Sequence, residues 1–231
     1  MTNQDEVNRV FSSVAKRYDI MNDIMSLGLH RLWKRLLCSE ITKSHSSLLD
    51  VAGGTGDIAI KAASKRNCMH VTVCDINMDM LKIGRRKAVN NGHLSINWVC
   101  SSGECLPFLS DTFDYYTIAF GIRNIPDRKA ALKEAYRVLG GCGRLLCLEF
   151  SPLVGDSILK TAYDFYSLYV IPQIGRVVAQ DMDAYSYFVS SIRKFPIPEQ
   201  FAQEITDAGF FMVTHRNICQ GIATLYSAWK P

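Results

Sequence analysis

The sequence reads as an α/β chain: a mostly parallel, Rossmann-like sheet with helices on both faces, finished by an antiparallel hairpin. Three observations carry this reading. Short apolar runs alternate with amphipathic stretches from Leu48 to Phe150, the pattern of successive βα units. A turn with Gly53, Gly54 and Gly56 follows the first of those runs in LLDVAGGTGD. The chain ends in a helical stretch and two strand-like stretches, which fit a hairpin added to the sheet edge. With 231 residues, 48% hydrophobic and 21% charged, the chain sustains one domain, residues 1–231.

Residues 1–45 read as a helical lid. Val7, Val10, Phe11, Val14, Ala15 and Tyr18 recur at helical spacing, with Arg9, Lys16 and Arg17 opposite. Such a helix packs on a core, closes over a ligand or touches lipid. Tyr18 to Asn22 breaks the period, and a second helix spans Leu32 to Ser39. Arg31, Lys34 and Arg35 read as a solvated face.

Residues 46–150 form the βα core. Leu48 and Leu49 close the first strand, Asp50 follows, and Ile58 to Ala63 is helical. Strand, glycine turn and helix together make a nucleotide crevice. The second strand, Val71 to Asp75, ends in an acid about twenty residues after the turn, where it can accept ribose hydroxyls. A helix from Met78 to about Asn91 turns Met80, Leu81, Ile83 and Gly84 inward and Lys82, Arg85, Arg86 and Lys87 outward. Ile96 to Cys100 is the third strand, and the loop Ser101-Ser102-Gly103-Glu104 faces the ligand edge. The fourth strand, Tyr115 to Phe120, runs into Gly121-Ile122-Arg123-Asn124. Asp127 caps a helix reaching Leu139, Gly140 to Gly143 turn, and Arg144 to Phe150 is the fifth strand. The total is five βα units.

Residues 151–196 change character. Tyr163, Phe165, Tyr166, Tyr169, Tyr185, Tyr187 and Phe188 crowd a helical insertion that overhangs the ligand edge, as pocket or as core. Residues 197–231 give a helix from Pro198 to Ala208 and strands at Phe211 to His215 and Ala223 to Trp229.

Composition narrows the function. A net charge of +4 is too small to argue for nucleic acid. The eight cysteines include no C-x-x-C pair. Cys74, Cys100 and Cys147 read as core thiols in a reducing, cytoplasmic compartment. The five histidines are scattered, so no metal is expected. No run approaches the ~18 apolar residues that span a bilayer, and MTNQDEVNRV is not a secretory signal.

The glycine turn leaves the ligand open. Gly54, Gly56 and Ala59 fit the dinucleotide pattern G-x-G-x-x-A. Asp50, an acid just before the glycines, suits a ligand with a cationic group and no phosphate. S-adenosylmethionine, with its ammonium and sulfonium, is such a ligand.

Several segments then resemble one family, the UbiE/MenG-type C-methyltransferases of ubiquinone and menaquinone biosynthesis. They are VFSSVAKRYDIMNDIMSLGLHRLWK, LLDVAGGTGDIA, CDIN with MLKIGR, LPF with DTFDYYTIAFGIRNIPD, YRVLGGCGRLLCLEFS, and YDFYSLYVIPQIG with SYFVSSIRKFP. FGIRN and the YD-x-MN segment are far more specific than the glycine turn.

The resemblance implies a seven-stranded class I S-adenosylmethionine-dependent methyltransferase fold. It implies C-methylation of a polyprenylated quinol, benzoquinol or naphthoquinol. It places the cofactor on Thr55, Asp75, Ser102 and Gly103; Asp50, Gly54, Gly56, Ile76 and Ala119 complete the expected cofactor site. Family members often carry Asn-Ala at Ser102-Gly103, and some carry Ser at Ala119; backbone contacts survive both changes. Other readings of the fold are a methyltransferase of another small molecule, an NAD-dependent oxidoreductase and a non-catalytic accessory subunit.

A quinol ring carbon is a weak nucleophile until its hydroxyl ionises. With a phenol pKa of about 10, roughly one molecule in a thousand is ionised at neutral pH. Arg123 is expected to stabilise the phenolate or hold a relaying water, and Asn124 to orient the quinol oxygen. Tyr18 and Asp19 close over the cofactor, with Asp19 as an alternative base. The competing role for Arg123 is an ion pair with Asp127. The apolar prenyl tail implies peripheral contact with the inner membrane face or hand-over from other quinone-biosynthesis enzymes. The apolar helices are compatible with a homodimer.

Overall fold

The structure is a computed structural model and describes residues 23, 26, 28–43, 45–64, 68–153 and 182–231. Helix α1 (His30–Ser39) leads into β1 (Ser46–Val51), α2 (Asp57–Ser64), β2 (Cys68–Asp75), α3 (Met78–Asn90) and β3 (Asn97–Cys100). Next come β4 (Phe113–Ala119), a 3-10 turn (Ile122–Asn124), α4 (Arg128–Val138) and β5 (Leu139–Phe150). The remaining elements are α5 (Met182–Lys194), α6 (Pro198–Asp207), β6 (Phe211–Ile218) and β7 (Ala223–Trp229).

The strands form one seven-stranded sheet in the order β3-β2-β1-β4-β5-β7-β6. β1 to β5 pair in parallel, and β7 runs antiparallel to both β5 and β6. The order reverses between β1 and β4, so the crevice at their carboxyl ends is where open α/β sheets bind ligands. Helices cover both faces, which is why β1, β4 and β5 carry continuous apolar runs instead of alternating ones. The pleat of β1 sends Leu48 into one core and Leu49 and Val51 into the other. Trp33, Ile58 and Phe188 of α1, α2 and α5 fill the first core; Leu132, Phe201 and Ile205 of α4 and α6 fill the second.

Asn77 caps α3, accepting from the amides of Asp79 and Met80, and Asp127 caps α4 through Ala130. Pro198 opens α6, where its missing N–H costs nothing.

Several expectations need correction. The β3–β4 connection holds no helix, so the count of five βα units is too high by one. Side chains of α4 satisfy this irregular backbone instead. Leu106 N donates to Glu134 Oε2 at 2.7 Å, and Arg137 donates to the carbonyls of Phe108 at 2.7 Å and Leu106 at 3.0 Å. Leu139, expected as the end of a helix, and residues 140–143, expected as a turn, belong to β5, with Leu139 paired to Phe113. β6 extends to Ile218. Cys100 is exposed, unlike the buried Cys74 and Cys147. The helix at Val7–Tyr18, Tyr18, Asp19 and the aromatic residues 163–169 lie outside the described residues, as does the side chain of Tyr185.

Lys34 does not lie on a solvated face. Its side chain is 7% exposed, and its ammonium sits 2.7 Å from Asp57 Oδ2, while Lys87 holds Oδ1 at 2.7 Å. Asp57 opens α2, where the helix dipole also favours an anion. Burial alone would raise the Asp57 carboxyl, but the two ammoniums override it and hold it well below the usual carboxylate range. These bonds tie α1, α2 and α3 together directly beneath the glycine turn.

Two more buried ionisable groups lie against this cluster. His30 Nδ1 meets Ser26 Oγ at 2.9 Å, and burial together with the Lys34 charge pushes its imidazole down to about 4. Asp50 is 1% exposed. Its Oδ1 accepts from the Thr117 hydroxyl at 2.8 Å, and Oδ2 has no hydrogen-bond partner. Burial pushes the Asp50 carboxyl up to about 7, against the Thr117 hydroxyl and the Lys34 charge.

These two groups have opposite consequences for stability. His30 titrates near 6.5 unfolded and about 4 folded, so its contribution is full above 6.5 and is lost as pH falls towards 4. His30→Gln should flatten that part of the profile of unfolding free energy against pH. Asp50 is raised, so its contribution is full below about 4 and is lost as pH rises through about 7. Asp50→Asn should therefore gain on wild type between pH 5 and pH 8 in urea melts, and a parallel profile would contradict the buried neutral acid.

Candidate cofactor and substrate site

The glycine turn is shaped by what it packs on. After β1 the backbone enters the left-handed region at Ala52 (φ 49), Gly54 (φ 54) and Gly56 (φ 75). A Cβ at Gly56 would lie 2.5 Å from Trp98 Cη2. Glycine is required there because the turn is pressed onto the indole. Thr55 is buried beside it, 4% exposed.

Asp75, at the carboxyl end of β2, fixes the turn from the other side. Its Oδ2 accepts the Gly54 amide at 2.8 Å and its Oδ1 the Asn77 amide at 2.8 Å. Burial raises the Asp75 carboxyl, and these amides oppose the rise. A carboxylate has about four acceptor positions, so acceptor capacity remains for the hydroxyls of a ribose. Beside it a cleft opens between Ile76, Ser102, Gly103, Ile125 and Val51. Ser102 Oγ donates to Glu104 Oε2 at 3.0 Å and accepts from the Glu104 amide at 3.2 Å, so it is turned into its own loop. A Cβ at Gly103 would lie 3.0 Å from Ile125 Cδ1. At these two positions the backbone edges the cleft. A larger hollow of about 370 Å³, between Arg85, His93 and Trp98, lies at the amino end of β3. None of the sequence-derived site residues lines it. These features fit a nucleoside with a ribose on Asp75, which is the shape and chemistry of S-adenosylmethionine.

At the switch point the ends of β1 and β4 meet closely. Ala119 is the half-buried last residue of β4, and Phe120 follows at φ 60. A Cβ at Gly121 would lie 2.5 Å from Ala52 Cβ, so only glycine fits.

The 3-10 turn that follows places Arg123 and Asn124. The Arg123–Asp127 pair, the competing role for Arg123, does not form; the Asp127 side chain caps α4 instead. Arg123 pairs instead with Glu149 of β5, Nη1 to Oε1 at 2.7 Å, with the two side chains 3% and 0% exposed. Nη1 also donates to the Phe120 carbonyl at 2.7 Å and Nε to Ser191 Oγ at 3.2 Å. The guanidinium carbon lies 4.4 Å from the Phe188 ring centroid and 5.7 Å from that of Phe150. Glu149 accepts as well from the amides of Phe150 (2.8 Å) and Arg123 (3.3 Å). Burial raises its carboxyl; Arg123 and the two amides hold it down. Asn124 Oδ1 accepts from the Tyr187 hydroxyl at 3.3 Å.

The structure thus brings together Asp75, Ile76, Ser102 and Gly103 around one cleft, with Gly54 bound to Asp75, and Arg123 with Asn124 at the adjacent strand end. Asp50 lies sealed beneath the turn and does not face the cleft. Gly56 and Thr55 serve the packing of the turn. Sequence reasoning missed Glu149 and the Lys34–Asp57–Lys87 cluster, and named Tyr187 only as one of the aromatic residues of the insertion. The signal for Glu149 was an acid inside the buried run RLLCLEF, which demands a cation. Among the described residues no cluster of His, Cys, Asp and Glu could hold a metal ion.

A model of the ubiE/COQ5 methyltransferase family matches residues 1–230. The chain is 49% identical over 231 residues to the ubiquinone/menaquinone biosynthesis C-methyltransferase UbiE of Rickettsia peacockii (strain Rustic), covering 98% of this chain and 93% of that one. It is 50% identical over 234 residues to the protein of the same name from Bradyrhizobium sp., covering 98% and 92%. Among solved structures, an S-adenosylmethionine-dependent methyltransferase from Thermotoga maritima superposes with a TM-score of 0.68 at 16% identity, covering 97% of this chain and 100% of that one. That likeness establishes the class I fold. The chain belongs to the ubiE/COQ5 methyltransferase family and is an S-adenosylmethionine-dependent methyltransferase.

Proposed function

We propose that this enzyme C-methylates the ring of a polyprenylated quinol in ubiquinone or menaquinone biosynthesis. The observation that carries the reading is the Asp75 carboxylate. It is held by the Gly54 and Asn77 amides at one lip of the crevice, with Arg123 and Asn124 at the end of the neighbouring β4.

In this reading Asp75 takes the ribose of S-adenosylmethionine. The Gly54 turn, with Thr55 and Gly56, borders the amino-acid end of the donor. Ile76 and the backbone of Ser102 and Gly103 border the adenine, and Ala119 closes the floor. Asp50 acts from beneath, by supporting the turn. The donor supplies an electrophilic methyl group on a sulfonium.

This chain's residues prepare the nucleophile. Each pKa unit by which the site favours phenolate over phenol is worth about 1.4 kcal/mol. With Tyr187 occupying Asn124 Oδ1, the Asn124 amide NH2 is left to donate to the quinol oxygen and stabilise its charge. Arg123 supplies positive potential from inside its pair with Glu149 and keeps its proton. Tyr18 and Asp19, on the N-terminal segment, close the site, and Asp19 is the candidate base. Lid residues 1–45 and the cap at 151–196 exclude water and align ring carbon, methyl and sulfur. The prenyl tail brings the enzyme to the inner face of the membrane from the cytoplasm, or to another enzyme of the pathway. Among the described residues no helix is long and apolar enough to cross a membrane.

The test supplies methyl-labelled S-adenosylmethionine with a reduced demethylated benzoquinol in one tube and demethylmenaquinol in another. Label should appear on the ring carbon of at least one product. Asp75→Ala should weaken donor binding by calorimetry by about 10- to 100-fold, the worth of hydrogen bonds to a charged group. Donor binding without label in either quinol would overturn the substrate. Undiminished binding by Asp75→Ala would overturn the ribose site.

A further inference from the structure

We infer that Glu149 is a positioning residue for the methyl transfer, acting through Arg123 to fix the Ile122–Asn124 turn against α5. The inference rests on the quinol reading above and adds a residue that does not itself meet the substrate.

Glu149 grips Arg123 twice. Oε1 takes the guanidinium at 2.7 Å and Oε2 takes the Arg123 amide at 3.3 Å, while the Phe150 amide also donates to Oε1 at 2.8 Å. One carboxylate therefore sets both the side chain and the backbone of the residue before Asn124. The same turn meets α5 at two points, Arg123 Nε on Ser191 Oγ and Asn124 Oδ1 on the Tyr187 hydroxyl. Tyr187 and Ser191 are four residues apart, on one face of α5. The Arg123 guanidinium over the Phe188 ring adds a third contact with that helix. Glu149, Arg123 and α5 are thus one mechanical unit, and Asn124 rides on it.

The location separates this role from plain stabilisation. A buried ion pair is a poor stability device, because apolar replacements of the same volume are often neutral or better. This pair stands at the carboxyl ends of β4 and β5, beside the crevice, with both side chains buried. Its arms end on the cap helix and on the residue assigned to the quinol oxygen. Facing Glu149 from the strands are also Cys147 and Tyr226, both uncharged at neutral pH because burial raises them. Among the described groups Arg123 is its one cationic partner.

The experiment compares Glu149→Gln, Arg123→Met and the double variant in the full chain. Donor affinity is read by calorimetry, and kcat and KM for the quinol from label transfer. Glu149→Gln is expected to keep donor affinity while kcat per donor-binding site falls about 100-fold, the scale of a misplaced catalytic group. The double variant should be no slower than Arg123→Met alone. Glu149→Gln with full turnover per donor-binding site would overturn the inference, since a merely structural role moves only the fraction folded. A double variant slower than Arg123→Met would show that Glu149 acts on its own and would overturn it too. Should Glu149→Gln not bind donor, the double variant, which leaves no buried charge unpaired, decides by the same comparison. A fully active Arg123→Met removes the phenolate role of Arg123 as well as this one. Glu149→Gln at wild-type turnover beside a slow Arg123→Met removes only the inference.

Discussion

The buried pair between Arg123 and Glu149 is the constraint on which the substrate side of this molecule depends. Both charges are out of water, so neither can be lost alone: removing one partner of such a pair costs about 3–5 kcal/mol. The pair fixes the end of β4, holds α5 to the sheet and sets Asn124. It also limits what Arg123 can do. A guanidinium whose charge is already answered by a carboxylate at 2.7 Å contributes oriented dipole more than net charge. In the proposed reaction, developing charge on the quinol oxygen then falls mainly to Asn124, whose Oδ1 is taken by the Tyr187 hydroxyl.

The cofactor side follows the same logic with different parts. Asp75 is a half-buried acid held by backbone amides, and its geometry is set before any ligand arrives. Beneath it Lys34, Asp57 and Lys87 clamp three helices under the glycine turn. Because Lys34 belongs to α1, the start of the described chain is fastened to the first turn of α2. Each lip of the crevice is therefore built on an acid that joins a neighbouring amide to a group more than twenty residues away.

The sheet was legible because its strands are short apolar runs bounded by glycine and polar turns. Asp75 was legible because its spacing from Gly54 is fixed by one βα unit. The β3–β4 connection was not, since Glu134 and Arg137 of a later helix do the hydrogen bonding that a helix would have done for itself. Arg123 was found, but the one ion-pair partner weighed for it was the nearby Asp127. Local capping claims Asp127, and the true partner is 26 residues along on the next strand. Lys34 failed for the same reason, because its partner Asp57 is 23 residues away. Asp50 was noticed for its charge, whereas in the fold it is sealed and raised towards neutrality. The dinucleotide reading of the turn gives way to the family match over residues 1–230.

The most direct test of this account is a crystal structure of the protein with S-adenosylhomocysteine. The account predicts both ribose hydroxyls on Asp75, with the Gly54 and Asn77 amide bonds intact and Arg123 still on Glu149. A nucleoside bound away from Asp75, or an Arg123 released from Glu149 into the crevice, would contradict it.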